Sequence, residues 1–237
     1  MIFCTSISPT HINKDIQLKA IKSWQELGGH VYSFNHPSEI AQLKSQYNHV
    51  TFIPTDRTFE LTYGKPLVSI SAVLDWIKAN TNTHFCIINS DIELRMDSEM
   101  LLRIREEMKT SIVLANRIDY EDNNSGKEYY YGIDVFFIHK QFIGLYPQSM
   151  FCFGQCFWDY EIPYKALKNG VNIVFIKQQI AWHKAHKMQY NPDDWAKSGR
   201  YFLWHNSLYQ FNDRQEIGKM STYIYNFIYN GSQRKDI

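Results

Sequence analysis

Apolar positions along this chain switch between a period near two and a period near 3.6, and the order of the switches predicts an α/β protein. Ile2 to Ile7, His30 to Phe34 and Val50 to Ile53 read as short strands, closed by Ser8-Pro9-Thr10, Asn35-His36-Pro37 and Pro54. Between the first two, Ile16, Ala20, Ile21, Trp24 and Leu27 fall on one helical face, with Asn13 as a cap and Gly28-Gly29 as a stop. Pro37 and Ser38 open a second helix that runs to about Gln46, and Pro66, Ile70, Val73, Leu74 and Ile77 stripe a third. Strands separated by helices imply parallel pairing with right-handed crossovers, so strands one, two and four open on the same edge.

The fourth strand carries the most information. Phe85-Cys86-Ile87-Ile88 is apolar on both faces and breaks into Asn89-Ser90-Asp91. Ligands of open α/β sheets gather at the carboxyl ends of strands, which makes Asp91 a candidate for a metal or a charged substrate; a simple turn cap is the competing reading. Beyond it, Asp97 caps a helix over Met100, Leu101, Ile104 and Met108. Ile112 to Ala115 and Ile133 to Ile138 read as strands, with a polar, mobile loop from Asp119 to Glu128 between them. An aromatic, loop-rich stretch from Phe142 to Phe157 precedes a helix starting at Trp158-Asp159-Tyr160-Glu161. Ile173 to Ile176 then leads to Ile180-Ala181-Trp182-His183. From Asn191 the pattern is helical and aromatic, and 231–237 is expected to be disordered. The expected organisation is one domain over 1–190 with a helical extension, 191–237, packed on it.

Composition narrows the function without choosing it. The 237 residues carry 25 Lys and Arg against 24 Asp and Glu, so no strong field recruits nucleic acid, and any phosphate recognition is local. No apolar run reaches membrane-spanning length and no leader pattern opens the chain, which predicts a cytoplasmic protein; peripheral membrane contact through the aromatic C-terminal helices stays open. Cys4 and Cys86 sit in apolar strands as buried thiols. Cys152 and Cys156 are spaced by three residues rather than two, a poor zinc pair, and a reducing compartment is expected.

Asn89-Ser90-Asp91 at the end of an apolar strand resembles the D-x-D motif of nucleotide-sugar-dependent glycosyltransferases with the GT-A fold, particularly the large family 2 group. Trp158-Asp159-Tyr160-Glu161-Ile162 resembles that group's E-D-x-[DE]-L helix start, and Val174-Phe175-Ile176 through Trp182-His183 resembles its late strand pair. The resemblance implies a Rossmann-like GT-A fold with a mostly parallel central sheet flanked by helices. It implies transfer of a sugar from a nucleoside-diphosphate donor, a UDP-sugar by preference, to a hydroxyl of a glycan or glycolipid, with inversion. Asp159 is then the general base, with Glu161 as the alternative. Asp91 and His183 hold a divalent cation, Mn²⁺ or Mg²⁺, with His186 as the neighbouring alternative ligand. Thr5, Ser6, Asn35, Asn89 and Ser90 line the nucleotide-sugar pocket, and Asp134 belongs to the acceptor side.

From their charge, Arg57 and Lys65 can neutralise a diphosphate, and Trp158 and Phe153 can stack on a sugar or pack the core. Two positions depart from the family pattern. Asn89 stands where an acid is expected, with Glu93 as a candidate substitute, and Trp158 replaces a glutamate. The Asn89 departure motivates a different reading, a binding protein without catalysis. A nucleotidyltransferase is a further alternative, but it calls for a basic, glycine-rich loop after strand one, which Ser6 to Thr10 lacks.

Overall fold

A computed structural model describes residues 1–11, 13–81, 84–121, 125–186, 191–208 and 214–237. The first half alternates as the pattern predicts: β1 (Ile2–Thr5), α1 (Lys14–Glu26), β2 (His30–Asn35), α2 (Pro37–Leu43), β3 (Thr51–Pro54), the short α3 (Glu60–Tyr63), α4 (Ile70–Asn80) and β4 (His84–Ile88). Asn13 caps α1 by accepting from the Asp15 N–H, as its residue type requires. The third helix starts at Ile70 rather than Pro66, because Val68 and Ser69 instead form isolated bridges with Thr58 and Cys152.

The second half is less regular. It runs β5 (Ile92–Leu94), α5 (Ser98–Glu107), β6 (Ser111–Tyr120), β7 (Gly126–His139), a 3₁₀ turn over Lys140–Leu145, α6 (Trp158–Lys168), β8 (Asn172–Ile176), β9 (Ala181–Lys184), α7 (Pro192–His205), α8 (Arg214–Gly231) and β10 (Gln233–Lys235).

All ten strands described belong to one mostly parallel sheet with main order β10-β8-β6-β7-β4-β1-β2-β3; β9 adds beside the upper half of β6, and β5 pairs with β9. Strand β7 runs antiparallel between β6 and β4. Residues of β4 alternate between two cores, Phe85 and Ile87 toward α4 and α6 through α8, Cys86 and Ile88 toward α1 and α5. That is why the strand needs four consecutive apolar residues.

Two expectations are corrected here. The C-terminal tail is ordered: β10 pairs in parallel with β8, its backbone hydrogen bonds replacing the disorder expected from a short polar end. Asp119, Tyr120 and Gly126 to Glu128, assigned to a mobile loop by their polarity, are paired arms of a β6–β7 hairpin, while 122–124 lie outside the described residues. Long hairpin arms that reach past the core have water on one side, so polarity there does not mean loop. Among the described residues no helix is long and apolar enough to cross a membrane.

Candidate functional site

The carboxyl ends of β1 and β4 and the upper halves of β6, β7 and β9 converge on Asp91. Three imidazoles surround its Oδ2: His11 Nε2 at 3.6 Å from the loop after β1, His183 Nε2 at 3.5 Å from β9, and His186 Nε2 at 3.6 Å just beyond β9. Topology explains the gathering. β1 and β4 are parallel neighbours, so their exit loops meet, and β9 reaches the same place by pairing with β5, where Ile92 faces His183. Burial opposes ionisation of Asp91, but the three imidazoles outweigh it and hold the carboxyl well below the usual carboxylate range.

A second carboxylate orients one of these rings. His183 Nδ1 lies 2.8 Å from Asp119 Oδ1, and since a carboxylate only accepts, Nδ1 donates there and the ring turns its Nε2 toward Asp91. Burial disfavours the imidazolium, yet Asp119 and Asp91 push His183 up to about 9. The site therefore favours positive charge, and its donor set fits a divalent cation: His11, Asp91 and His186 present ligand atoms within 4.8 Å of one another. His11 Nε2 is buried without a hydrogen-bond partner, as expected of a ligand nitrogen.

Next to the imidazoles lies a chain of charges. Arg117 pairs with Asp119 (Nε to Oδ1, 2.9 Å) and with Asp134 (3.4 Å). Its delivery depends on a defect in the ladder. The β6–β7 register slips between Ala115 and Asn116 and again between Asn116 and Ile118, with extra residues on β7: Asp134 in the first slip and segment 129–132 in the second. Such bulges re-aim side chains. Gly132 permits the crossing, because a Cβ there would stand 2.9 Å from the Tyr129 ring and 3.2 Å from Arg117 Cβ.

Asp134 is buried and shifted upward, by burial first, with Asp91 adding to it and Arg117, His183 and Asn89 opposing. Asn89 Nδ2 donates to Asp134 Oδ1 at 2.6 Å, and the Asn89 N–H donates to the Asp134 carbonyl at 3.3 Å. An acid at position 89 would set two carboxylates against each other; an amide can donate. The asparagine in place of the family's first acid thus has a local physical reason.

Asp159 occupies the first turn of α6, partly exposed. Burial first, and the nearby Asp134 second, push its carboxyl up to about 7. The residue that launches this helix, Phe157, is fully buried and held at φ 75°, a left-handed backbone rare for a bulky side chain. Its ring is pinned by Tyr160, Trp195 and Phe202, which fix the direction in which α6 begins.

The other predicted residues are placed as follows. Asn35 is buried, donates to the Ile7 carbonyl (2.8 Å) and to Glu39 (2.9 Å), and so anchors the loop after β1. Thr5 is buried at the end of β1 with its hydroxyl unpartnered, and Ser6 follows, partly exposed. Ser90 Oγ lies 2.7 Å from the Gln17 amide; in the orientation that satisfies its neighbours, that amide also bonds both backbone groups of Ser8 at 3.1 Å. Arg57 is engaged by Asp75 and Gln148, each at 2.6 Å, and Lys65 lies exposed before α4.

Several side chains stand apart from the cluster. Glu161 is buried against His205 (3.1 Å) and Asn206 (2.8 Å), tying α6 to the end of α7. Trp158 is buried between Phe136 and Phe153, at 5.2 and 5.1 Å, and Phe153 is itself in the core. Glu93 pairs with Lys19 and Arg95, each at 3.0 Å, on the α1 side. Cys152 and Cys156 are free thiols, and burial pushes Cys156 up to about 12, which leaves little thiolate for a metal. A cleft of about 470 Å³ lined by Pro37, Ile40, Lys44 and Phe52 flanks edge strand β3 and includes none of these acids or imidazoles.

Sequence reasoning missed His11, Arg117 and Asp119. For Arg117 and Asp119 a signal existed: they flank the buried Ile118 at period two, which puts them on one face of a strand.

No protein-family model and no curated protein sequence matches this chain. Among solved structures, TarS of S. aureus superposes with a TM-score of 0.52 at 10% identity, over 98% of this chain and 43% of that chain. The chain thus spans less than half the length of TarS. A protein of Desulfovibrio desulfuricans G20, provisionally named a nucleotide-diphospho-sugar transferase, gives 0.47 at 9% identity, over 99% of this chain and 98% of that one. HddC from Yersinia pseudotuberculosis, complexed with GMP-PN, gives 0.43 at 13% identity, over 85% and 98%. At such identities the likeness is one of fold alone: the chain shares the Rossmann-like α/β architecture of TarS, a mostly parallel sheet flanked by helices.

Proposed function

We propose that this chain is a nucleotide-sugar-dependent glycosyltransferase of the GT-A type, which moves a sugar from a nucleoside-diphosphate donor, a UDP-sugar by preference, to a hydroxyl of a glycan or glycolipid with inversion. One observation carries the reading. Two carboxylates at one sheet edge are tuned in opposite directions, Asp91 held ionised among imidazoles and Asp159 raised to about 7.

Asp91 and His183 hold a divalent cation, Mn²⁺ or Mg²⁺, with His186 beside them. When bound, the cation supplies charge that stabilises the leaving diphosphate. Asp159, ionised above neutral pH, takes the proton of the acceptor hydroxyl as that oxygen attacks the anomeric carbon. Burial first and Asp134 second raise the base's affinity for a proton, and the Arg117 guanidinium lowers it, which together keep it near neutrality. Thr5, Ser6, Asn35 and Ser90 line or brace the nucleotide side. The loop after β1, anchored by Asn35 and Gln17, has neither glycine nor lysine or arginine from Ser6 to Thr10, which argues against nucleotidyl transfer. The domain itself is taken as 1–190, with 191–237 as its C-terminal cover.

The test is to incubate the chain with a panel of nucleotide sugars and Mn²⁺ or Mg²⁺, with and without glycan acceptors, and measure nucleoside-diphosphate release. Release is expected with at least one donor, and Asp159→Asn is expected to bind that donor normally while losing transfer. A panel with no release on any donor overturns the proposal.

A further inference from the structure

We infer that His11 and His186 complete, with Asp91 and His183, an imidazole-rich pocket that binds a transition metal such as Zn²⁺ or Co²⁺ before any nucleotide arrives. A Mg²⁺ site of the substrate-dependent kind does not need them. The inference deepens the proposed cation site and shares its location with that reading, but the protein ligands alone carry it.

Four observations converge. The first is spacing. Asp91 Oδ2 stands 3.5 to 3.6 Å from three Nε2 atoms, and His183 Nε2 stands 3.2 Å from His186 Nε2. Adjacent donors on one ion with bonds of about 2.1 Å are separated by roughly 3.0 to 3.4 Å. The carboxylate contacts exceed good hydrogen-bond lengths, so direct hydrogen bonding is a poor account of the arrangement.

The second is ring orientation. His183 Nδ1 donates to Asp119, which turns Nε2 toward Asp91 and His186. His11 Nδ1 lies 2.7 Å from the Asn13 carbonyl and 3.1 Å from the Asn13 N–H, so the Asn13 backbone holds that nitrogen and the ring turns its Nε2 toward Asp91. An outer oxygen that fixes the ring and frees the other nitrogen is the usual support for a metal-bound histidine. The third is burial without satisfaction: the His11 ring is only 11% exposed and its Nε2 has no hydrogen-bond partner. The fourth is donor chemistry. Mg²⁺ prefers oxygen and water and relies on substrate phosphates, whereas imidazole suits zinc, cobalt and other transition ions. Two imidazoles and a carboxylate within 4.8 Å of one another, with His183 Nε2 3.2 Å from His186, select the second class. Asp91 and His186 each retain about a fifth of their exposure, which leaves an opening through which a phosphate oxygen can reach the ion.

The experiment uses chain stripped with a chelator and no nucleotide. Zn²⁺, Co²⁺ and Mg²⁺ are titrated by calorimetry, and the visible d–d absorption of Co²⁺ reports nitrogen coordination. One equivalent of Zn²⁺ or Co²⁺ is expected to bind, with no Mg²⁺ binding at the same concentrations. His11→Gln is expected to weaken Co²⁺ binding at least tenfold and to change its spectrum. Asp119→Asn, which removes no ligand but releases the ring, should weaken it about 10- to 100-fold. If His11→Gln does not fold, by circular dichroism, His186→Gln takes its place.

Equal affinity in wild type and the histidine variant, or no Zn²⁺ or Co²⁺ retained by wild type, overturns the inference. Its failure is separable from that of the transfer reading. A chain that binds Co²⁺ as described yet releases diphosphate from no donor keeps the pocket and loses the glycosyltransferase; Mg²⁺-supported turnover without Co²⁺ binding does the reverse.

Discussion

Asp91 and Asp159 belong to the same sheet edge and to opposite electrostatic worlds. Both lose solvation. Asp91 recovers more than it loses, because three rings, the Asp119-oriented His183 among them, favour its charge. Asp159 lies in the field of Asp134, another acid, which outweighs the backbone N–H of Tyr160 at 3.2 Å and the more distant Arg117. Identical side chains thus become a permanent anion and a proton acceptor poised at neutrality. The intermediary is the Arg117–Asp134 pair, which touches the Asp119 side directly and the Asp159 side through its field.

Breaking either member should leave a different signature, and this is the largest effect expected. Asp91→Ala removes the oxygen shared by three imidazoles, so cation-dependent donor binding and turnover should both collapse, with turnover down about a thousandfold. Asp159→Asn should spare donor binding and lower the transfer rate by about 10²- to 10⁴-fold. Calorimetric donor binding beside transfer kinetics separates the two. Loss of donor binding in both variants would mean that the two carboxylates form one site, and the division drawn between them would be wrong.

A smaller effect sharpens the same contrast through pH. With Asp159 near 7, transfer should fall about tenfold per pH unit below that value and level off above it, since only the ionised carboxyl can take a proton. Arg117 favours the ionised forms of both Asp134 and Asp159. Arg117→Gln should therefore move the midpoint of the pH–rate profile upward, leaving the high-pH plateau less disturbed than the rate at pH 7. A midpoint that stays put or moves down removes Arg117 from the tuning of the base.

Comparing the two sides also shows what a sequence can express. The Asp91 side was largely legible, because a strand buried on both faces announces itself by an unbroken apolar run, and the polar residues that end it mark the ligand edge. His183 was legible for the same reason, as the end of β9. His11 was not: its place beside Asp91 comes from the neighbour relation of β1 and β4, a contact between residues 80 positions apart that no local period encodes. On the Asp159 side, the helix start was legible but its electrostatic partner was not. Arg117 reaches Asp134 only because the β6–β7 ladder slips twice, and a bulge leaves no trace in a period-two pattern. Polarity misled where strands leave the core. The hairpin arms around 119–128 and the final strand are held by backbone pairing, which is blind to side-chain hydrophobicity.

Asn89 lies on the boundary between the two sides, and the smallest expected effect decides what it is. If the amide is merely a lost metal ligand, Asn89→Asp should strengthen metal binding at little cost. If its purpose is to donate to Asp134, the same change sets two carboxyls where a 2.6 Å hydrogen bond now stands. Two acids at that distance cannot both ionise, so the pair would retain a proton and titrate above the usual carboxylate range in the folded state. The sign follows from linkage. A group whose folded pKa is raised binds more protons folded than unfolded, so its stability contribution declines as pH rises from the unfolded value through the folded one. Asn89→Asp should therefore be nearly neutral at pH 5 and destabilised by about 1–3 kcal/mol at pH 8, the scale of an unsatisfied buried polar group. Urea unfolding at the two pH values measures the difference. A deficit independent of pH, or a gain in metal affinity, would return Asn89 to the status of a missing acid and leave Asp134 without the partner that now fixes it beside the base.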